Sequence, residues 1–363
     1  MCEDGKIVKC GAKVQRKNEN GNENENFFLS LHKITTDMKK IIGIGNALTD
    51  VLVRLQDDES LQRLGLPKGG MQLIDDARYE VLAKEMLSLS PVRSTGGSAG
   101  NAVLALSHLG APTGFIGRIG DDETGRFFRD TYQQAGIDTR LILTSGRSGV
   151  ANTFITPDGE RTFATYLGAA AGMTAADITP RLFEGCELLH IEGYLVQNHE
   201  MIERVCRMAK EAGLQTSIDL ASYNVVSDHL RFFRQLVTDY IDIVFANEEE
   251  SAAFTGTDNA EKALESIASL CRVAVVKLGK RGSSGMTNGR KAYAPGSQVG
   301  VVDTTAAGDF FAGGFLYAWS LGLDLERCLR AGALLSANII QVVGTRLPDE
   351  TWQQIRVEME KLR

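Results

Sequence analysis

The chain has 363 residues with a formal net charge of -7, 43% hydrophobic and 23% charged. That length supports one large α/β domain, and an acidic balance without any Lys/Arg block excludes nucleic acid or an anionic membrane as a general partner. No run approaches the roughly 18 apolar residues of a membrane span, and no secretory h-region opens the chain, so a cytoplasmic protein is expected. The six cysteines are scattered without a C-x-x-C, which suits reduced thiols better than a disulfide or zinc framework. Cys186 and His190 have metal-like spacing but straddle the start of an apolar strand, which argues against a ligand role.

Residues 1–37 differ from the rest. Lys17 to Asn26 is an Asn/Glu run with little to bury, so a disordered extension is expected, with the folded domain spanning 38–363. Ile41 to Asn46 reads as a strand, with Asp50 just beyond it. Gly43-Ile-Gly45 invites a dinucleotide fingerprint, but the third glycine would fall at Leu48 and no helix follows. Gly96-Gly-Ser-Ala-Gly100 opens a helix from Asn101 to Leu109. A glycine turn there lets backbone approach a polar ligand closely, and Asn101 offers both donor and acceptor. Phe115 to Gly120 is a strand, and Asp121 to Gly136 a helix.

Residues 141–167 break the rhythm. Leu141 to Thr144, Val150 to Thr156 and Arg161 to Leu167 read as short strands, with Pro157-Asp-Gly159 as a hairpin turn. Helix-free β structure inside an α/β chain suggests a flap, to which segment 51–74 would add strands. From Leu188 onward, apolar strands (188–194, 215–220, 241–246, 273–278) alternate with helical patterns. This predicts a mainly parallel, doubly wound sheet with helices on both faces. Gly279 to Tyr293 looks like antiparallel edge strands, and two or three helices close the chain.

Val301-Val-Asp-Thr-Thr-Ala-Ala-Gly-Asp-Phe-Phe-Ala-Gly-Gly-Phe315 reads as a tight loop of small residues feeding a helix. Such a loop lets backbone N–H groups reach an anion at a helix N-terminus. Asp309 beside it is either a general base for an attacking hydroxyl or a plain helix-terminal carboxylate, with Thr304 or Thr305 as cap. The predicted carboxyl ends of the strands carry Asp50, Asp219, Asn247-Glu-Glu-Glu250, Gly279-Lys-Arg-Gly282 and the Asp303 loop, where open α/β sheets bind ligands. No Walker P-loop occurs. Asn247 and Glu250 could hold Mg²⁺ through water, or simply cap a helix.

Asp303-Thr-Thr-Ala-Ala-Gly-Asp309 is similar to the Asp-Thr-x-Gly-Ala-Gly-Asp signature of the ribokinase-like carbohydrate and nucleoside kinases. Gly96-Gly-Ser-Ala-Gly-Asn101 through Gly120, Asn247-x-x-Glu250 and Leu278-Gly-x-x-Gly282 resemble that family's other landmarks, in order, over residues 39–350. The resemblance implies a ribokinase-like α/β fold with a small β-sheet lid (about 51–74 and 141–167) and ATP-dependent phosphorylation of an alcohol. It implies Asp309 as catalytic base, the amides of Ala306, Ala307 and Gly308 as anion hole, and Arg161 as a lid arginine reaching transferring phosphate. Asn46, Asp50, Gly97 and Asn101 would bind substrate. Asp219, Asn247, Lys277, Gly279 and Gly282 would line the nucleotide site, with magnesium at Asn247 and Glu250. Ala306 departs from the usual Gly, and if that site needs positive φ its methyl costs roughly 1–2 kcal/mol. Lys277 stands where many members have Thr.

Gly45-Asn-Ala-Leu-Thr-Asp50 and residues 159–171 look most like adenosine kinases, with Phe154, Phe163 and Tyr166 as candidates to stack a purine. The expected function is Mg²⁺-ATP-dependent phosphorylation of a ribose-containing nucleoside, by a monomer or homodimer, with a monovalent-cation requirement left open. The alternatives are a kinase of a free sugar such as fructose or ribose, and a non-catalytic sugar- or nucleotide-binding module.

Overall fold

Near-continuous apolar strands need cover on both faces, and this sequence supplies it by interleaving them with helices. In the computed structural model, which describes residues 38–158 and 160–363, nine strands form one sheet in the order β14-β13-β12-β11-β10-β9-β1-β5-β6. These are β1 (Lys40–Ile44), β5 (Thr113–Gly120), β6 (Asp138–Thr144), β9 (Cys186–Glu192), β10 (Gln215–Asp219), β11 (Ile243–Asn247), β12 (Val273–Lys277), β13 (Ser283–Thr287) and β14 (Arg290–Ala294). All pairs from β12 to β6 are parallel, while β13 and β14 add an antiparallel edge. The expectation for residues 1–37 lies outside the described residues.

Helices His199–Glu211, Leu230–Tyr240, Glu248–Thr255 and Ala260–Ala268 contribute to one large core with β9 to β12. Helix Ala307–Ser320 packs between Ser98–His108 and Leu325–Ile339. Two glycines permit that approach. A Cβ on Gly313 would lie 2.9 Å from the Ala102 carbonyl oxygen, and one on Gly314 only 2.5 Å from that of Ala331.

A second, five-stranded sheet has the order β3-β8-β7-β2-β4, built from β2 (Leu48–Arg54), β3 (Met71–Leu73), β4 (Val92–Gly96), β7 (Gly149–Ile155) and β8 (Arg161–Tyr166). Two sequence expectations change here. Residues 141–144 belong to β6 and pair with β5 in the large sheet, not with the small one. Asp50 lies inside β2 rather than beyond a strand of the large sheet.

Alternation along the strands gives the small sheet two faces. Val53, Phe154 and Ala164 pack outward against Leu61, Leu66, Leu82 and Met86, from the segments around helices Glu59–Arg63 and Asp76–Leu87. Asp50, Thr153, Arg161 and Phe163 therefore share the opposite, inner face, in a register that pairs Thr153 with Phe163 and Ile155 with Arg161. Phe154 is fully buried in the outer cluster. Tyr166 stacks on Tyr79 at 4.7 Å and donates to Asp76 Oδ1 at 2.5 Å. Neither can stack a ligand on the inner face, and only Phe163 remains of the three aromatic candidates.

The helix carrying Asp309 is positioned by its glycine contacts, so overpacking there should be felt. Gly314→Ala is expected to destabilise by roughly 1–3 kcal/mol, because its methyl meets backbone that cannot rotate away. A urea midpoint equal to wild type would show that the helix pair relaxes freely.

Candidate active site

The loop after Val302 turns on Ala306, whose φ of 59° and ψ of 9° are left-handed. The methyl at this position carries the expected strain, of roughly 1–2 kcal/mol. Helix Ala307–Ser320 then starts with no side-chain cap, which removes Thr304 and Thr305 from that role. Of the three expected anion-hole amides, Ala307 already donates to the Thr304 carbonyl at 3.2 Å. The amides of Ala306 and Gly308 make no hydrogen bond to the described residues. Unpaired N–H groups at a helix start, together with the dipole, favour an anion.

Asp309 is held by another helix rather than by its own. Ser98 Oγ donates to its Oδ1 at 2.8 Å and Asn101 Nδ2 to its Oδ2 at 2.9 Å. The Gly-rich turn before Ser98 is required locally: Gly97 has φ of 88°, and a Cβ there would lie 2.3 Å from the Asn46 carbonyl oxygen. Burial pushes the Asp309 carboxyl up to about 6, with Asp219 adding to the rise and the Asn101 and Ser98 donors opposing it. A plain helix-terminal carboxylate would instead bond its own free amides.

Asp50 faces the same region from the small sheet, where burial and then the Asp309 charge push it up to about 7 against the pull of Arg161. Arg161 spans from β8 to the loop, with Nη2 at 2.5 Å from Asp303 Oδ2 and Nη1 donating to Thr305 Oγ1 at 2.7 Å. Asp303 also accepts from the amides of Thr305 at 2.8 Å and Gly344 at 2.7 Å.

On the far side, β10 and β12 bring Asp219 and Lys277 together, with Lys277 Nζ donating to Asp219 Oδ2 at 2.6 Å. Burial lowers the Lys277 pKa, but Asp219 and Glu250 outweigh it and hold the ammonium raised overall. Gly279 and Gly282, at φ of 55° and 98°, shape the turn following Lys277, and a Cβ on Gly282 would lie 2.1 Å from the Ala294 carbonyl oxygen. Asn247 and Glu250 form a reciprocal cap: Asn247 Oδ1 accepts from the Glu250 amide and Glu250 Oε2 from the Asn247 amide, both at 2.8 Å. Glu250 is buried, and that burial, followed by the Asp219 charge, pushes its pKa up. No group of three or more His, Cys, Asp or Glu side chains forms a ready-made metal cage among the described residues. His190 is a buried core residue bonded to Ser217 Oγ at 3.0 Å, and burial lowers its pKa to about 4.

Three participants escaped the sequence reading. Ser98 sits inside the Gly-rich motif, yet only the fold shows it on Asp309. Asp303 was read as part of the loop, but its role in joining three segments is tertiary. Glu192, at the end of β9, accepts from Asn46 Nδ2 at 2.6 Å and from the Ala99 amide at 3.3 Å, and burial pushes it up to about 7. Its signal was available: a lone acid ending an apolar strand, as at Asp219.

These raised carboxyls set a pH dependence. Asp50, Glu192, Glu250 and Asp309 hold their protons to higher pH in the folded chain than in the unfolded one, where carboxyls titrate near about 4. Between about pH 4 and 7 the native state thus binds more protons, so stability falls as pH rises through that window. The ligand-free Tm is expected to be higher at pH 5.5 than at pH 8, with a smaller difference in Glu192→Gln. A thermal-shift series rising from pH 5.5 to 8 would contradict this.

The sequence pattern of the pfkB family carbohydrate kinases matches residues 73–352. The aminoimidazole riboside kinase of Salmonella typhimurium is 28% identical over 283 residues, covering 73% of this chain and 86% of that one. The ribokinase of Haemophilus influenzae is 27% identical over 271 residues, covering 71% and 85%. Among solved structures, a probable sugar kinase from Rhizobium etli superposes with a TM-score of 0.81 at 30% identity, covering 90% of this chain and 99% of that one. Adenosine kinase from Sinorhizobium meliloti gives 0.79 at 31%, covering 88% and 99%. The reading as a non-catalytic binding module falls with these matches. The chain belongs to the pfkB family of carbohydrate kinases: it has the ribokinase-like fold and is a kinase of a sugar or a nucleoside.

Proposed function

We propose that this kinase transfers the γ-phosphoryl group of ATP to the hydroxymethyl group of a ribose-containing nucleoside. The observation that carries the reading is the Asp309 carboxylate, oriented by Ser98 and Asn101 beside the free amides of Ala306 and Gly308. Each Asp309 oxygen accepts one hydrogen bond and keeps a further acceptor site, so it can take the proton of an attacking hydroxyl. The two free amides would receive phosphoryl oxygens. Ala307 contributes through the helix start, its own amide being engaged.

On this reading Asp50, Asn46, Gly97 and Asn101 bind acceptor hydroxyls, and Glu192 orients Asn46. Phe163 lies on the inner face beside Met71 and Leu73, which are 57% and 55% exposed. An exposed apolar strip next to a hydroxyl-binding carboxylate suits a substrate with a flat, poorly hydrated group, which favours a nucleoside over a free sugar. Asp219, Asn247, Lys277, Gly279 and Gly282 line the nucleotide side. The Asp219 charge reaches Glu250, and two acids so placed would suit a hydrated magnesium ion near Asn247 and Glu250, which would neutralise phosphate charge when bound.

ATP-dependent phosphorylation across a panel of nucleosides and monosaccharides tests the proposal. Turnover with ribose or fructose but no nucleoside would replace it with the free-sugar alternative. On the substrate found, Asp309→Asn is expected to lose about 10²-fold or more in kcat with ATP affinity and Tm little changed, since proton abstraction is typically worth about 10²–10⁴-fold. Activity within a few-fold of wild type would remove Asp309 as base.

Arg161→Ala is expected to lower kcat more than ATP affinity, because the guanidinium meets charge that builds during transfer. It also leaves Asp303 buried without its counter-charge, so Tm should fall as well. A change confined to acceptor KM would make Arg161 a binding residue instead.

A further inference from the structure

Two cations reach the acid cluster from opposite sides. Arg161 comes from the small sheet, and Lys277 from the end of β12 in the large one. An ammonium has three N–H donors, yet Lys277 makes one hydrogen bond to the described residues, to Asp219 Oδ2 at 2.6 Å. It lies close to Gly308: a Cβ there would be 2.9 Å from Lys277 Nζ. The ammonium thus lies against the peptide that offers a free amide to an anion, one residue before Asp309. A general base must sit within hydrogen-bond reach of the attacking hydroxyl, and that hydroxyl must face the phosphorus it attacks. A phosphoryl group held by the Gly308 amide and attacked by that hydroxyl would therefore lie beside the two unused donors of Lys277. Asp219 and Glu250 hold the side chain in its charged form despite its burial.

We infer that Lys277 is a catalytic residue that hydrogen-bonds the phosphoryl group during transfer, with Asp219 as its positioning residue. The inference rests on the kinase reading above and goes beyond nucleotide binding. In the step, the bond between phosphorus and the β,γ-bridging oxygen breaks, and its electron pair leaves with ADP. The acceptor oxygen bonds to the same phosphorus, and its proton passes to Asp309. Lys277 keeps its proton throughout. Arg161 and Lys277 would then neutralise the developing charge from the two sheets, so that transfer is fastest when both are in place.

The test compares Lys277→Met, Lys277→Arg and Asp219→Asn with wild type by steady-state kinetics. It also compares their affinity for ADP alone and for ADP with aluminium fluoride plus acceptor, which imitates the group in flight. Lys277→Met is expected to lose about 10²-fold in kcat, the effect typical of removing one oxyanion donor, with KM for ATP and affinity for ADP changed only a few-fold. Its affinity for the ADP–aluminium fluoride complex should fall by a similar factor. Lys277→Arg should recover part of the loss, and Asp219→Asn should show a smaller fall of the same kind. If Lys277→Met fails to fold because Asp219 is left unpaired, Lys277→Met/Asp219→Asn removes both charges and is expected to show the same kcat loss. A kcat near wild type, a loss confined to KM for ATP, or an unchanged aluminium fluoride affinity overturns the assignment. Wild type that phosphorylates no acceptor overturns the kinase reading itself, and the two failures are distinguishable.

Discussion

The carboxylate of Asp303 is the junction on which the rest of the site depends. It is 4% exposed and ties its own loop, through the Thr305 amide, to two segments distant in sequence: residues 341–347 through the Gly344 amide and the small sheet through Arg161. A buried carboxylate is tolerable only when its charge is matched, and a lone one would cost several kcal/mol. Two amides and a guanidinium meet that demand together. The demand in turn fixes how the loop enters the helix bearing Asp309, and it ties the inner face of the small sheet to that loop.

The same electrostatic logic extends to the neighbouring acids. Asp50, Glu192, Asp219, Glu250, Asp303 and Asp309 bring six acidic side chains to the region, with Arg161 and Lys277 facing them from two different sheets. A site so rich in carboxylates would repel a polyphosphate unless free amides, the helix dipole and cations intervene. It therefore suits a reaction in which negative charge arrives already partly neutralised and one carboxylate is reserved for proton transfer. Crowding also explains why several of these acids hold their protons unusually well: burial disfavours the ionised form, and like charges reinforce that effect.

Strain accompanies the crowding. Ala306 occupies a left-handed conformation that glycine would adopt freely, and two glycines in the helix behind it admit backbone at distances no side chain would allow. The fold offsets these local costs through the large apolar core around β9 to β12. Rigid packing behind the helix and strained backbone at its tip hold Asp309 with Ser98 and Asn101 in a defined geometry.

Much of this was legible in the sequence. Strand–helix alternation predicted the doubly wound sheet, because parallel strands must be buried on both faces. The small residues from Ala306 to Gly308, followed by Asp309, predicted a tight loop feeding a helix start, because backbone chemistry there is local. Helix-free residues within an α/β chain predicted the second sheet. Tertiary structure alone decided which strands joined which sheet: periodicity says that residues alternate, not what they pair with, so residues 138–144 and Val92–Gly96 could not be assigned. It also decided which face each residue took, turning Phe154 and Tyr166 outward and Phe163 inward. Ser98 and Asn101 lie more than 200 positions from Asp309, Asn46 is 146 from Glu192, and Lys277 is 58 from Asp219. Partnerships at such separations arise only when the chain closes on itself, and no local pattern in the sequence encodes them.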